Sequence, residues 1–261
     1  KGFSGKSSMF IWVDIIKSVF KYNIAIKDYF CFGFFELTDS DRRKWAGTGF
    51  MSEYQLKMNL KGSRDILENK ILFLRHFKPF VKRQFLTLDE IRVNKQAIEQ
   101  MLTGTCSRMV LKGSHGQVGA EVEVISCNQY NAESLVSYME KNKYDLVEEY
   151  VVQHPKLMEL SPSGLNTVRV FTQLYQGRVD FLGARLRVSV NSPIDNMAAG
   201  NLAASINMKT GIVEGPGVYS DITKKDSNVH PVTGKPIAGF KIPHWNEVVE
   251  LAHNAALHNP D

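Results

Sequence analysis

Apolar residues follow helical spacing through the first hundred positions and strand alternation in several later segments. Trp12, Ile15, Ile16, Val19 and Phe20 fall at i, i+3, i+4, i+7 and i+8. That spacing predicts a helix resting on this stripe, with Asp14, Lys17, Ser18 and Lys21 on the solvated face. Tyr29, Phe30, Phe32, Phe34 and Phe35 follow, interrupted by Cys31 and Gly33. They are expected to form a packing platform, in preference to a lipid- or sugar-contacting surface. Asp39, Asp41, Arg42 and Arg43 open a charged helix expected to run towards Leu60, capped by Thr38 or Ser40. Arg75 to Phe85 interleaves basic and aromatic residues, a mark of nucleic-acid binding in some proteins. The stretch is short and its apolar residues bulky, so an amphipathic helix is expected instead. Thr87, with Glu90 three positions later, has the form of a capping box.

From Met109 the period changes to two. A strand ends in Lys112, Gly113, Gly116 and Gly119 punctuate a loop, and Val122 to Ile125 alternates as a returning strand. Glycines let backbone N–H groups crowd onto an anion, and a lysine adds a point charge. A glycine-rich hairpin without a ligand fits this segment equally well. The spacing matches neither GxxxxGK[ST] nor GxGxxG, each of which would lead into a helix. A helix is expected over Ala132 to Asn142. A strand over Tyr144 to Val152 then carries Glu148 and Glu149, which as strand neighbours must point to opposite faces.

Residues 167–190 form the best strand signal. Val168, Val170, Thr172 and Leu174 alternate with Thr167, Arg169, Phe171 and Gln173, and the pattern returns over 181–190 with Arg185 and Arg187. A three-residue loop at Gln176-Gly177-Arg178 would pair Tyr175 with Val179, placing Arg169 opposite Arg185 and Thr167 opposite Arg187. Like charges directly opposite are destabilising, so this face calls for an anion or for acidic partners from elsewhere, and we favour the anion. A bulge is expected to undo this register. Ser192 to Asn201 is a polar loop, Ala203 to Met208 and Ile212-Val213 suggest a second hairpin, and Asn246 to Leu257 a final helix.

Composition narrows the classes. The chain has 261 residues, 43% hydrophobic and 23% charged, which excludes general disorder. No apolar run approaches the roughly 20 residues of a membrane helix. Lysine and arginine exceed aspartate and glutamate by 32 − 27 = 5, a mild excess suited to phosphate-bearing ligands. Cys31, Cys106 and Cys127 lack CxxC spacing, and no signal peptide opens the chain, so a reducing, cytoplasmic location is expected. Neither HExxH nor GxSxG occurs. The chain opens on Lys1 and closes on Asp261, so a longer natural protein is expected.

Asn69-Lys70, the Lys112 glycine loop, Val147-Glu148-Glu149 with Gln153-His154-Pro155, Asn166-Thr167-Val168-Arg169 and Asp195-Asn196, in that order, resemble the ATP-grasp superfamily. The resemblance is to the subgroup associated with sugar transfer in surface-polysaccharide gene clusters, and runs from about Asp28 to Leu257. Gly113 replaces a customary proline, and a single glycine follows Asp195-Asn196 where a pair is usual. The resemblance implies an α+β ATP-grasp fold: a helical region over 1–100, a small lobe over 101–150 and a large lobe over 151–261, the two lobes enclosing a nucleotide. Lys70 and Lys112 would hold ATP phosphates beneath a lid containing Ser114, Gly116 and Gly119. Glu148 and Val151 would lie near the adenine, and Glu149 near adenine or ribose. Arg169, Arg185 and Arg187 would face the γ-phosphate or an acyl phosphate. ATP and magnesium are the implied cofactors. The implied partners are a small-molecule or sugar-linked carboxylate and an amine-type nucleophile, without nucleic acid. Asp195 and Asn196 are the available metal candidates, the superfamily's usual metal ligands being expected beyond Asp261. The implied activity is a carboxylate–amine ligase, with an ATP-dependent phosphotransferase or an inactive binding scaffold as alternatives.

Overall fold

The computed structural model describes residues 5–105, 107–114 and 122–259. It divides into two compact units, within residues 1–65 and 66–260. About 44% of the described residues are helical, and the described strands form two antiparallel sheets, an α+β architecture.

The N-terminal unit begins with α1 (Ser8–Tyr22), where the Ser7 hydroxyl accepts from the Phe10 N–H. Asn23, in the left-handed region at φ 51°, closes the helix. The next helices are α2 (Ile26–Cys31), α3 (Asp39–Arg42) and α4 (Thr48–Met58). Ile11 and Ile15 pack with Ile24, Tyr29, Phe34 and Phe35, so the aromatic patch is core, as its density suggested. The expected stripe of α1 is rotated. Asp14 and Ser18 turn inward, whereas Trp12, Ile16 and Phe20 are exposed. The cause is Arg42, whose guanidinium meets Asp14 through bonds of 2.8 and 2.7 Å and donates to Ser18 at 3.2 Å. Tyr29 donates its hydroxyl to the same carboxylate at 2.7 Å. A fork-to-fork pair among apolar side chains fixes a helix face more firmly than one more aromatic contact.

The charged helix expected towards Leu60 is broken. Thr38 caps α3, which ends at Arg42, and the chain restarts at Thr48. Between them Gly47 lies against Ile24 so closely that a Cβ would sit 2.4 Å from its Cγ2.

Helix α5 (Lys61–Glu68) spans the division between the units. The second unit continues with α6 (Lys70–His76), β1 (Phe85–Thr87), α7 (Leu88–Val93), α8 (Lys95–Leu102), β2 (Arg108–Lys112), β3 (Val122–Ser126), α9 (Ala132–Asn142) and β4 (Leu146–Glu149). The helix expected over Arg75 to Phe85 does not form. Pro79 sits in a short 3-10 turn, and Phe85, the last residue of that stretch, opens β1 opposite Glu148, so a strand interrupts the region over 1–100 expected to be helical. The capping box at Thr87 and Glu90 is present in both halves. The sheet order is β1-β4-β2-β3. Met109, Leu111, Ile125 and Val147 cover one face and pack on Ile91, Ile98, Leu135 and Met139 from α7, α8 and α9.

The rest comprises α10 (Pro155–Leu160), β5 (Thr167–Tyr175), β6 (Arg178–Val188), β7 (Leu202–Ile206), β8 (Val213–Tyr219) and α11 (Trp245–His258), with the strands in sequential order. Leu186, Val188, Leu202, Ala204 and Ile206 form the core face, against Leu160, Ile237, Ile242 and Trp245. The expected three-residue loop is shorter. Tyr175 pairs with Arg178 across Gln176 and Gly177, whose φ values of 51° and 76° suit a type I′ turn. Leu182 is then an extra residue opposite the Phe171/Thr172 step, a bulge.

Candidate functional site

Because the β1-β4-β2-β3 sheet has period two, the residues alternating with its core face share the other side: Phe85, Val110, Lys112, Val122, Val124, Leu146 and Glu148. Val122 and Val124 are exposed, so that side is open at its β3 edge. Glu148 is 3% exposed. Its carboxylate accepts from Lys112 Nζ at 2.5 Å and from Arg83 Nε at 2.9 Å and Nη2 at 3.3 Å. Burial alone would push its pKa up. The Arg83 hydrogen bond and the nearby positive charges of Lys112 and Arg83 outweigh that and hold it below the ordinary value. The carboxylate is therefore charged at neutral pH and fixes the position of the lysine ammonium. One of the three N–H groups of Lys112 points to Glu148, and the described residues give the other two no partner.

Lys70 reaches the same strand end. Its Nζ donates to Gly113 O at 2.5 Å and its backbone N–H to Ser114 O at 3.2 Å. Asn69 caps α6 by accepting from the N–H groups of Ile71 and Leu72, which sets Lys70 on the first turn. The N–H and hydroxyl of Ser114 both donate to Asp145, anchoring the start of the glycine loop. Gly116 and Gly119 lie outside the described residues. Glu149 turns to the opposite face, as the alternation requires, and accepts from the Gln84 N–H at 3.2 Å. Val151 follows β4 and is partly exposed. Lys70, Lys112, Ser114 and Glu148 thus come together near one strand end, with Glu149 closing β4 and Val151 in the segment beyond it.

The three arginines lie on the other sheet. Arg169 stands opposite Arg185 and Thr167 opposite Arg187, on the side away from the core. Arg187 forms a half-buried pair with Asp195, Nη2 to Oδ1 at 2.9 Å, and Thr167 donates to the same carboxylate. Arg185 lies 4.6 Å above the Phe171 ring. Its pKa is held below the ordinary value, by desolvation first and then by Arg169 and Arg187. One arginine therefore has an acidic partner while the other two face each other. Hydrogen bonds tie the Asp195 loop down: buried Asn201 donates to Ile194 O and Asn196 O and accepts from the Val190 N–H.

Two groups here lack a sequence signal of their own. Arg83 sits in a basic stretch where nothing sets it apart, and its partner Glu148 is 65 residues away. Asn166 stood out only as part of a motif. It is buried and holds β5 to the loop before it, donating to Ser161 O and accepting from the Ser189 N–H.

A family model for sugar-transfer associated ATP-grasp proteins matches residues 49–260. The chain belongs to that family. No curated protein and no solved structure matches it. Membership brings the ATP-grasp fold and points to ATP-dependent, ligase-type chemistry, and the superfamily generally uses ATP with magnesium. The lysine cluster of this ATP-grasp chain suits nucleotide phosphates. Asp195 and Asn196 do not suit magnesium in the described arrangement. Thr167 and the Arg187 guanidinium occupy both oxygens of Asp195, and Asn196 Oδ1 accepts from the Ala198 N–H. Among the described residues no group of three His, Cys, Asp or Glu could hold a metal ion. No helix described is long and apolar enough to cross a membrane.

Proposed function

We propose that this ATP-grasp chain joins a carboxylate to an amine or related nucleophile at the expense of ATP, through an acyl phosphate. The observation that carries the reading is the facing pair Arg169 and Arg185, with no carboxylate within ion-pair distance among the described residues. Such a face is costly unless a multiply charged anion occupies it.

In the proposed reaction a carboxylate oxygen attacks the γ-phosphorus, and the bond from that phosphorus to the β–γ bridging oxygen breaks, releasing ADP. The nucleophile then adds to the acyl carbon, and phosphate leaves with its bonding pair. Lys70 and Lys112 carry the polyphosphate, Glu148 and Arg83 keep Lys112 in position, and Arg169, Arg185 and Arg187 neutralise charge on the transferring group. Positioning and charge neutralisation supply most of phosphoryl-transfer catalysis, so such residues suffice for these roles. The sugar-transfer association of the family supports a sugar-linked carboxylate or surface-polysaccharide precursor as substrate. The cysteine pattern supports a cytoplasmic site of action.

The deciding experiment is a thermal-shift titration with magnesium-ATP on the chain and on Lys112→Ala. Saturation at 100 times the dissociation constant stabilises by about 2.7 kcal/mol, several degrees at roughly 2–4 °C per kcal/mol. A shift that Lys112→Ala abolishes supports the site, and no shift at millimolar nucleotide overturns it. ADP release that requires both a carboxylate and an amine separates ligation from simple phosphotransfer.

A further inference from the structure

Helix α1 carries two apolar stripes rather than one. At about 100° per residue, Ile11, Ile15 and Tyr22 centre on the inward side together with Asp14 and Ser18. Trp12, Ile16, Met9, Phe20 and Val13 follow one another around an outward arc of about 100°, the width of a complete core-facing face. Among the described residues nothing covers that outward arc. Met9 is 76% exposed, Trp12 59%, Ile16 56% and Phe20 85%. Exposed apolar patches of this kind on a folded chain mark an interaction surface.

We propose that the outward face of α1 docks on an anionic lipid surface, the helix lying in the plane of the interface. The charges choose among possible occupants. The only acid of α1, Asp14, is turned inward and bound by Arg42, so no carboxylate of the helix borders the outward arc. Lysines border it instead. Lys17 is exposed and has no carboxylate partner among the described residues, whereas Lys21, one turn further along, is paired with Asp39, and Lys6, 5.1 Å over the Phe10 ring, donates to Phe35 O, so Lys17 carries the open charge of this border. A helix with tryptophan and phenylalanine on one side and lysines at its border is built for the headgroup boundary, where apolar side chains enter the acyl region and ammonium groups reach anionic headgroups. A second copy packed on the same face would bring the lysine borders together. The helix has 15 residues, about 22 Å, too short to cross a bilayer but long enough to lie on one.

The test is flotation of the full chain with phosphatidylcholine vesicles containing about one-third phosphatidylserine, beside pure phosphatidylcholine. We expect flotation with the anionic vesicles and a blue shift of tryptophan emission that is absent in Trp12→Phe. The double substitution Ile16→Ser with Phe20→Ser should lower partitioning at least about tenfold, a loss of roughly 1.4 kcal/mol. Lys17→Glu should weaken binding only to the anionic vesicles. Circular dichroism and melting of these variants should match the parent, since the altered side chains are exposed. Failure to float, or flotation that the double variant leaves unchanged, overturns the proposal. A dimer in sedimentation equilibrium that the same variant dissociates, without vesicle binding, would assign the face to a second copy.

Discussion

Arg169 and Arg185 are direct cross-strand partners, and Arg187 beside them is paired with Asp195, the one carboxylate among the described residues that ion-pairs with this face. In the absence of an anion this arrangement opposes folding, and an anion bound there would reverse the sign of that contribution. Arg169→Ala should therefore act in opposite directions on the two states. The ligand-free chain should gain about 0.5 kcal/mol at low ionic strength, read as a higher urea midpoint, because a like-charge pair has gone. The same variant should lose most of its thermal shift with ATP. A variant that is destabilised yet keeps its full nucleotide response would show that the arginine serves the fold rather than a ligand.

In the proposed nucleotide site, the part of Glu148 is to hold the Lys112 ammonium in place. Glu148→Gln keeps the side chain's shape, removes the charge that Lys112 and Arg83 share, and should weaken ATP binding about tenfold, 1.4 kcal/mol. Lys112→Ala should weaken it further. The stability cost of Glu148→Gln should be about 2 kcal/mol, below the usual loss for a broken buried pair, because both cations can turn towards water.

Acid should reveal the same carboxylate. The folded pKa of Glu148 lies below its ordinary 4.5, and that of Asp14 below its ordinary 3.8, the latter chiefly through the Arg42 hydrogen bond. Each group contributes stability that is fully present above its unfolded pKa and is lost as pH falls through its folded one. Denaturant midpoints should stay flat with respect to these two groups down to about pH 5 and fall below about pH 4. In Glu148→Gln the acid-induced drop should be smaller. An equal drop would mean that the Arg83–Glu148–Lys112 cluster adds no net stability.

Local chemistry was legible in the sequence wherever partners lie close along the chain. The Thr87 and Glu90 box, the α9 boundaries, the aromatic core at Tyr29 to Phe35 and the opposite faces of Glu148 and Glu149 all follow from short-range rules. Long-range polar pairs escaped. Periodicity ranks Trp12 and Phe20 as core and Asp14 as surface, because it cannot see Arg42, which is 28 residues away and reverses the order. The opposition of Arg169 to Arg185 was reached by a different route from the one the spacing implied. A turn one residue shorter moves the pairing by one position, and the bulge at Leu182 moves it back. Two irregularities of equal size restored the parity that a single bulge would have destroyed.

Asp14→Asn tests the rotation of α1. The amide keeps the volume but leaves Arg42 in a half-buried site without its carboxylate, at an expected cost of about 2–3 kcal/mol. Urea denaturation followed by tryptophan emission, which includes Trp12 and Trp45 of this unit, should show the lower midpoint. Asp14→Leu, which increases the helix's hydrophobicity, should be no better, since the unpaired guanidinium is the source of the loss. Recovery of stability in Asp14→Leu would mean that packing rather than the ion pair orients the helix.

The hairpin turn offers a prediction of gain. Gln176 occupies the left-handed region at φ 51°, where a Cβ crowds the following carbonyl, and Gly177 follows at φ 76°. Asparagine tolerates that conformation far better than glutamine, and Asn-Gly is the preferred pair of a two-residue type I′ turn. Gln176→Asn should therefore stabilise the second unit by about 0.5 kcal/mol, and Gly177→Ala should destabilise it by about 1 kcal/mol. Neither change alters the pairing of Tyr175 with Arg178, so the bulge at Leu182 and the arginine face beyond it should persist. The ATP-induced shift should then be the same in Gln176→Asn as in the parent. A raised midpoint with an unchanged nucleotide response would separate the turn, which sets the register, from the arginines that use it.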